Sequence, residues 1–471
     1  MNRSSTDRKR RPDAVTVDHS ASPGISSHGD SASIGVEEFS RRRQKLLKKM
    51  GKGGVAIIAA APVKMRNREV EHPYRQDSSF LYLTGFPEPH AIAVLVAGRP
   101  EGEYILFCRK HNPEVERWCG RYAGQDGACQ IYGADEAFAI DQVDKIMPGL
   151  LEKAKRVFHA MGYQSDLDTR LTDWLNEVRK RYRTGAHTPV DFVALDHVLN
   201  EMRLIKNRAE IGVMCHAARV TAAAHRRAMR LCRPGMTEFQ IEAELRHEFM
   251  YGGCRETAYP PIVASGNNSC VLHYTANDAE LRDGDLLLID AGAEHEGYAA
   301  DVTRTFPVSG RFSKEQRAIY EIVLAAQHAA IRQVRPGSPW NAPHDAAVRT
   351  LTRGLVELGL LKGDVTTLIR QDAYRKFYMH RTGHWLGLDV HDVGDYKTEN
   401  KWRQLKPGMV LTVEPGLYIP SGTRGVAKKW WKIGIRIEDD VLVTGAGNRV
   451  LTEAAPKTVD DIEALMAAGG R

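Results

Sequence analysis

The sequence predicts two folded domains, a small α/β domain followed by an α+β domain with internal pseudo-two-fold symmetry. At 471 residues the chain is too long for one ordinary hydrophobic core. Short strand-like and helical segments alternate up to about residue 200, and two similar halves of helix, helix, strand and strand follow. We therefore expect a tail at residues 1–35, an N-terminal domain at residues 36–202 and a C-terminal domain at residues 203–471.

The composition is typical of a soluble globular protein, with 42% hydrophobic and 27% charged residues and a mild net charge of +7. One tight basic run, "RKRRP" at residues 8–12, is more typical of a solvated tail than of a nucleic-acid site. The longest apolar runs are too short to span a membrane, and the seven cysteines form no CxxC pair. We expect a reduced, cytoplasmic protein with neither nucleic acid nor membrane as a partner.

Local patterns justify the elements of the N-terminal half. Residues 1–35 hold almost no large apolar residues, so we expect them to be disordered. A basic amphipathic helix is predicted at residues 36–50 and a second helix at residues 167–183. Between them the alternation of apolar residues predicts four strands, at residues 55–61, 80–86, 91–98 and 104–108.

The C-terminal half carries helix start signals and a repeat. Three capping-box pairs each open a helix, namely Asn207 with Glu210, Thr237 with Gln240, and Ser313 with Gln316. Long helices end in similar punctuation, "CRPGM" and "VRPGS", and a second helix follows each of them. Asp290 stands six residues after Gly284 at a strand end, and Glu414 stands six residues after Gly408 at another. The two halves therefore place one carboxylate each at matching positions.

Asp290 and Asp301 form the first candidate site. A hairpin centred between His295 and Glu296 places the two acids opposite one another on one face, with Cβ atoms about 5 Å apart. Beside the apolar run 286–289, like charges this close need a proton or a cation between them. An isolated pair at this spacing is also typical of a solvated surface hairpin, so a metal site requires further candidate ligands nearby.

Further acids and histidines extend this pair into a candidate metal site. Glu414 precedes Pro415 at a strand end, and Glu438 lies in the strand-like "GIRIEDD". A single histidine is more often structural than a ligand, but four occur near these motifs: His273, His380, His384 and His391. An oxygen-rich set with one or two imidazoles favours a pair of ions such as Mn or Co. We predict metal-assisted hydrolysis with a bridging hydroxide as nucleophile.

The motifs "LIDAGAEHEGYAADVTRTFP", "GHWLGLDVHDVG", "TVEPGLYI" and "GIRIEDD" resemble those of the pita-bread metallopeptidases, specifically aminopeptidase P, also called Xaa-Pro aminopeptidase. The resemblance includes "YRQDSSFLYLTGFPEP" and "RWCGRYAGQDGA" and covers nearly everything after residue 35. It implies a pita-bread C-terminal catalytic domain behind an aminopeptidase P N-terminal domain. It also implies two divalent metal ions, with Mn as the first expectation and Co or Zn as alternatives.

The resemblance assigns metal ligands residue by residue. It implies that Asp290 chelates one ion and that Asp301 and Glu438 bridge both ions. His384 and Glu414 then complete the second ion, and Glu414 also acts as a proton shuttle.

Other positions gain expected roles from the same resemblance. His273, His380 and His391 match substrate-side histidines, and His391 is the first candidate to stabilise a developing oxyanion. Arg436 and Tyr259 match a hydrogen-bonding pair that supports the first aspartate.

Trp118 matches a residue that in some members enters the active site of a neighbouring subunit, which implies a homo-oligomer, a dimer or a tetramer. The implied reaction releases the N-terminal residue from peptides with proline in second position. An X-Pro bond has no N–H and its ring restricts approach, so such bonds need a dedicated pocket.

Two departures and three alternatives remain. The stretch after "HDVG" lacks an arginine that some members use, and only Lys401 and Arg403 stand nearby, while "AYPPIV" has two prolines where a more polar pair is common. A proline dipeptidase would share the fold and ligands, but the N-terminal match disfavours it. A non-catalytic pita-bread binding protein or a creatinase-like amidinohydrolase would lack part of the ligand set, whereas all five positions are present.

Overall fold

A six-stranded mixed sheet forms the centre of the N-terminal half, with strand order β4-β3-β2-β1-β5-β6. The computed structural model describes residues 33–469, so nearly all of the predicted tail, including the basic run at residues 8–12, lies outside the described residues. The strands are β1 Gly54–Ala59, β2 Ile92–Val96, β3 Tyr104–Cys108, β4 Glu136–Ala139, β5 Arg156–His159 and β6 Asp191–Ala194. The helices are α1 Val36–Met50, α2 Ser78–Thr84, α3 Pro113–Cys119, α4 Gly124–Gln130, α5 Val143–Leu151, α6 Ser165–Arg179 and α7 Leu195–Arg203.

The prediction of a strand at residues 80–86 is wrong, because most of this segment belongs to helix α2. The Asp77 carboxylate accepts a hydrogen bond from Phe80 N at 2.8 Å and so caps the helix start. Gly85 ends the helix in the left-handed conformation, with φ at 64°. These two caps outweigh the strand preference of the aromatic and branched residues between them.

The C-terminal half combines six helices with short antiparallel strands. The helices are α8 Arg208–Leu231, α9 Glu238–Tyr251, α10 Lys314–Ile331, α11 Ala342–Glu357, α12 Val365–Arg370 and α13 Val459–Gly469. The strands of the first half are β7 Glu256–Thr257, β8 Ile262–Ser265, β9 Leu286–Asp290, β10 Ala293–His295, β11 Tyr298–Ala299 and β12 Thr303–Pro307. The later strands are β13 Lys397–Thr398, β14 Lys401–Trp402, β15 Val410–Val413, β16 Gly416–Ile419, β17 Ile433–Arg436, β18 Asp439–Thr444 and β19 Gly447–Val450. Within residues 33–469, no helix combines the length and apolar character that a bilayer crossing requires.

The predicted internal repeat is present in the backbone. Helices α8 and α9 pack together, as do α10 and α11, and each pair precedes a set of antiparallel strands. Gly284 and Gly408, which precede the two acidic strand ends, both have positive φ, 83° and 89°. The predicted capping box at Asn207 is formed, with its side chain accepting from Glu210 N at 3.1 Å.

The hairpin that carries Asp290 and Asp301 is real, but its register differs from the predicted one. Its turn is Glu296–Gly297, where φ is 51° and 81°, as a two-residue type I′ turn requires. The centre is therefore one residue further along, and Asp290 pairs with Thr303 instead of Asp301. The two acids stay on one face, because the offset from direct pairing is two residues.

Buried contacts cross the predicted domain boundary near residue 202. One apolar cluster joins Phe80 and Met202 of the first half to Tyr298 and Leu388 of the second. An ion network lies beside it: Asp392 accepts hydrogen bonds from Arg203 at 2.6 Å and from Lys206 at 2.7 Å, and all three side chains are buried. The boundary itself stays a prediction, since this core is shared.

The Lys206–Asp392 pair gives a test of that shared core. Although burial alone would raise it, the Lys206 and Arg203 charges hold the pKa of Asp392 below its ordinary value. We expect Lys206→Met to lower the free energy of unfolding by about 3–5 kcal/mol, because the buried Asp392 charge loses one of its two cationic partners. Urea denaturation near pH 7 measures this, with exposed Lys362→Met as the control.

The deficit should also depend on pH. Because the pKa of Asp392 is lower in the folded than in the unfolded state, its contribution to stability is complete above the ordinary aspartate pKa. This contribution is lost as the pH falls through the lowered pKa. The difference between wild type and Lys206→Met should therefore shrink below about pH 4. A deficit that stays constant into acid would contradict the role of this ion pair.

Candidate metal centre

Ten of the eleven predicted site residues line one cavity of about 930 Å³ in the C-terminal half. This cavity lies where the hairpin β9–β12, the segment before β15 and the strands β15 to β17 meet. The predicted residues along its wall are Tyr259, His273, Asp290, Asp301, His380, His384, His391, Glu414, Arg436 and Glu438. The structure therefore brings together groups spread over almost 180 positions of the sequence.

The two hairpin acids share one hydroxyl group. Tyr259 Oη lies 2.6 Å from Asp290 Oδ1 and 2.5 Å from Asp301 Oδ1. A phenol has one hydrogen and can donate to only one of these oxygens at a time. The other short contact therefore requires that one carboxylate carries a proton or that a cation lies beside the two carboxylates.

Backbone bonds hold the other two acids in the same space. Glu414 N donates to Thr382 O at 2.8 Å, which ties the end of β15 to the histidine-rich segment. Glu438 N donates to Thr303 O at 3.0 Å, and the Thr303 hydroxyl donates to Glu438 Oε2 at 2.6 Å. Glu438 therefore takes its position directly from the hairpin strand that also presents Asp301.

His384 presents one ring nitrogen to these carboxylates. Its Nδ1 contacts the carbonyl of Trp385 at 2.9 Å, so Nδ1 is the donor and Nε2 carries the lone pair when the ring is neutral. Nε2 lies 3.3 Å from Asp301 and 3.9 Å from Glu414. Ligand atoms of Asp301, His384 and Glu438 all lie within 4.8 Å of one another. A carbonyl that orients the far nitrogen is a common feature of metal-ligating histidines.

Burial and mutual repulsion raise the pKa values of Asp290, Glu414 and Glu438. Burial raises the pKa of Glu438 well above its ordinary value, and the neighbouring carboxylates Asp301, Glu414 and Asp290 raise it further. Burial likewise raises the pKa of Glu414 to about 7 and that of Asp290 above its usual range. The cluster therefore holds more negative charge than its surroundings can stabilise.

His384 and Asp440 report the same excess of negative charge. Burial alone would lower the pKa of His384, but the Asp301 hydrogen bond and the Asp301 and Glu414 charges raise it to about 9. Asp440 is buried, its pKa is raised by burial and by Asp301, and its Oδ1 has no hydrogen-bond partner. These donors fit one or more divalent cations, which would supply the missing positive charge.

The three remaining histidines differ in exposure. His380 is nearly buried, and its Nε2 forms a hydrogen bond with Tyr418 Oη at 2.8 Å. Burial and the Arg436 charge lower its pKa to about 3. His391 is exposed to the cavity, its ring centroid lies 4.3 Å from that of His384, and partial desolvation and the nearby His384 lower its pKa. His273 is also exposed on the cavity wall. His391 and His273 can therefore contact a bound molecule directly.

Arg436 organises one side of the site through residues that the sequence did not indicate. Its guanidinium donates to Asp290 Oδ2 at 2.6 Å, to Tyr418 Oη at 3.1 Å and to Thr303 Oγ1 at 3.0 Å. Thr303 and Tyr418 were missed because single hydroxyl residues carry no spacing signal. The strand alternation does give a clue, since Thr303 stands two residues after Asp301 and faces the same side.

The remaining predicted residue, Trp118, and the basic residues after "HDVG" lie at different distances from the cavity. Trp118 on α3 is 89% exposed and does not line the cavity within this chain. Arg403 pairs with Glu201 at 2.6 Å, and the basic residue of this stretch that lines the cavity is Lys397, which lies 4.4 Å from the Trp402 ring centroid. Of the basic residues in this stretch, Lys397 is therefore the one that reaches the cavity within this chain.

Comparisons with known proteins agree with this geometry. Residues 213–445 match the model of metallopeptidase family M24, and residues 39–158 match the model of the aminopeptidase P N-terminal domain. Xaa-Pro aminopeptidase of Escherichia coli (strain K12) is 47% identical over 436 residues, which cover 92% of this chain and 98% of that protein. Xaa-Pro aminopeptidase of Haemophilus influenzae is 44% identical over 435 residues, with the same two coverages.

Solved structures show the same similarity. Pseudomonas aeruginosa aminopeptidase PepP has a TM-score of 0.92 and 57% identity, and the match covers 93% of this chain and 99% of that one. A zinc-substituted E. coli aminopeptidase P in complex with product has a TM-score of 0.91 and 46% identity, with the same coverages. The similarity therefore spans both halves of the chain.

Removing one buried acid should weaken ion binding strongly. We expect Glu438→Gln to lower affinity for Mn²⁺ by more than about 100-fold, which exceeds the loss typical of outer-shell partners. Metal analysis after dialysis measures the bound ion, and exposed Glu453→Gln is the matched control. Full metal content in Glu438→Gln would contradict its assignment as a ligand.

Proposed function

The chain belongs to the aminopeptidase P family of M24 metallopeptidases, and from this membership we propose that it releases the N-terminal residue from peptides that have proline in second position. It is a metal-dependent hydrolase with a pita-bread catalytic domain behind an aminopeptidase P N-terminal domain. The specific bond, the ligand roles and the number of ions are the parts that experiments have to test.

The convergence of five ligand-type side chains in one cavity carries the proposal. We assign Asp290 as a side chain that would hold one ion, His384 and Glu414 as side chains that would hold a second, and Asp301 and Glu438 as side chains that would contribute to both. The oxygen-rich set favours two Mn²⁺ ions, with Co²⁺ or Zn²⁺ as alternatives. When bound, such ions polarise the scissile carbonyl and lower the pKa of a water molecule so that it attacks near neutral pH.

Glu414 is placed to handle the proton of that water. Its carboxylate lines the cavity and lies 3.5 Å from His380 Nδ1, beside the Asp301 and Glu438 cluster. A carboxylate in this position accepts the proton on attack and returns it to the leaving proline nitrogen. His380 and Tyr418 fix its surroundings, because their mutual hydrogen bond at 2.8 Å anchors the ring.

We assign the two exposed histidines, His273 and His391, to contacts with the substrate at the reacting carbonyl. A lowered pKa keeps the His391 ring neutral near pH 7, so it donates an N–H without adding a charge to the cavity. A donor aimed at the oxygen where negative charge develops stabilises the transition state. His273 lies along the same wall and is placed to hold the substrate in line.

The cavity wall also suits a proline ring. Apolar and aromatic side chains line it beside the acids, among them Ile262, Leu272, Trp340, Val390 and Tyr396. An X-Pro bond offers no N–H, so recognition depends on shape and on contacts with the free amino terminus. The carboxylates next to this wall are complementary to that amino group.

A length series separates this proposal from the proline dipeptidase alternative. We expect hydrolysis of X-Pro-Y tripeptides and longer peptides, and slower or no hydrolysis of X-Pro dipeptides, because the chain matches Xaa-Pro aminopeptidases through the N-terminal domain as well. Release of the first residue, measured by chromatography, tests this with X-Ala-Y peptides as controls. Hydrolysis of the dipeptide alone would contradict the aminopeptidase assignment and favour the proline dipeptidase.

His391→Ala separates chemistry from metal binding. We expect full metal content but a loss in kcat of about 10²–10³, the usual effect of removing one oxyanion donor. Exposed His247→Ala serves as the control because it lies outside the cavity. Unchanged kcat in His391→Ala, or loss of metal, would contradict the oxyanion role.

We also propose a cytoplasmic homo-oligomer, a dimer or a tetramer. The exposed Trp118 on α3 is the position by which one subunit would reach a neighbouring cavity. Size determination in solution, with Trp118→Ala as the variant, tests this assembly.

A further inference from the structure

A second group of metal-ligating side chains lies outside the catalytic cavity. His216 of α8, Cys254 between α9 and β7, and His295 of β10 place one ligand atom each within 4.8 Å of one another. None of the three lines the 930 Å³ cavity. His295 stands at the turn end of the acidic hairpin, five residues beyond Asp290.

The fold brings these three side chains together through several independent contacts. Strand β10 pairs with β7, with Ala293 opposite Thr257, which places His295 near the residues that precede β7. Ala293 N donates to Thr221 Oγ1 at 3.0 Å and ties the hairpin to α8. The His216 and His295 rings pack with centroids 4.2 Å apart.

Hydrogen bonds at both ring nitrogens fix the tautomer of His216. Nε2 lies 3.0 Å from Gly252 O, and a carbonyl only accepts, so Nε2 carries the hydrogen. Nδ1 lies 2.9 Å from Arg219 Nη2, and a guanidinium only donates, so Nδ1 carries the lone pair. Arg219 is exposed and can turn into solvent. A carbonyl bond to one imidazole nitrogen is the usual support of a metal-ligating histidine.

The thiol completes a ligand set that differs from the catalytic one. Burial raises the pKa of Cys254 to about 11, although Arg219 lowers it in part, so the free thiol keeps its proton. A bound ion replaces this proton, which passes to solvent, and a sulfur–metal bond forms. One thiolate with two imidazoles is typical of Zn²⁺, whereas the catalytic set is mostly oxygen.

We propose that His216, Cys254 and His295 form a zinc site separate from the catalytic centre, with water in the fourth position. The ion joins α8, the α9–β7 loop and β10 near the turn end of the hairpin that carries the catalytic aspartates. His216 is half-buried, which gives the ion a path from solvent. Because this proposal needs none of the catalytic ligands, it stands or falls independently of the proposed function.

Cobalt is the probe that distinguishes the two sites. A Co²⁺–thiolate bond absorbs in the near ultraviolet, and the five catalytic ligands contain no sulfur. The reduced full-length chain is first loaded with Mn²⁺ and then titrated with Co²⁺. We expect the thiolate band to saturate at one Co²⁺ per chain and to disappear when Zn²⁺ is added. Absence of the band would overturn the site and leave only a packed histidine pair.

Variants test each ligand and the competing arginine. Cys254→Ser should lose the band, whereas Cys232→Ser, which removes another buried thiol, should keep it. His216→Gln should also lose the band, and this half-buried position avoids the folding risk of the Cys254 change. Arg219→Ala removes a positive charge and a competing donor, so Zn²⁺ should bind several-fold more tightly in chelator competition. A band that survives Cys254→Ser or His216→Gln, or unchanged affinity in Arg219→Ala, would overturn the proposal.

Discussion

Buried carboxylates without matching positive charge set the requirement that the rest of this structure meets. Asp290, Asp301, Glu414 and Glu438 converge in one cavity, and Arg436 is the permanent cation in direct contact with them among the described residues. Burial raises the pKa of several of these acids, and their charges raise one another further. Burying such a cluster costs free energy when no cation is bound, and bound cations offset this cost. We call the four acids and His384 the cation cage.

Backbone geometry, more than side-chain packing, positions the cage. The type I′ turn at Glu296–Gly297 fixes the hairpin register, and the register places Asp290 opposite Thr303. Thr303 then connects the two halves of the domain, because its carbonyl and hydroxyl both bond to Glu438. These two bonds, one from the main chain and one from the Thr303 hydroxyl, therefore bring acids of the two halves together.

The sequence predicted the fold class, the helix starts and the family, because these depend on local capping and on long motifs. It did not predict the helix at residues 78–84, where two caps override strand preference, or the hairpin register, which depends on a positive φ at Glu296. It also missed Tyr418, a hydroxyl whose role arises only from tertiary contacts. The sequence thus identified the acids and, through the resemblance, Tyr259 and Arg436, while the hydroxyl partners Thr303 and Tyr418 required the structure.

Two ligand sets of different chemistry occur in this chain, one mostly oxygen and one with sulfur, so ion identity and ion position can be measured together. Anomalous diffraction at the Mn and Zn absorption edges, from crystals supplied with both ions, tests the cation-cage account most directly. The account predicts Mn peaks between Asp301, Glu438 and His384. Crystals that bind their substrate peptide yet show no anomalous peak among these side chains would contradict it.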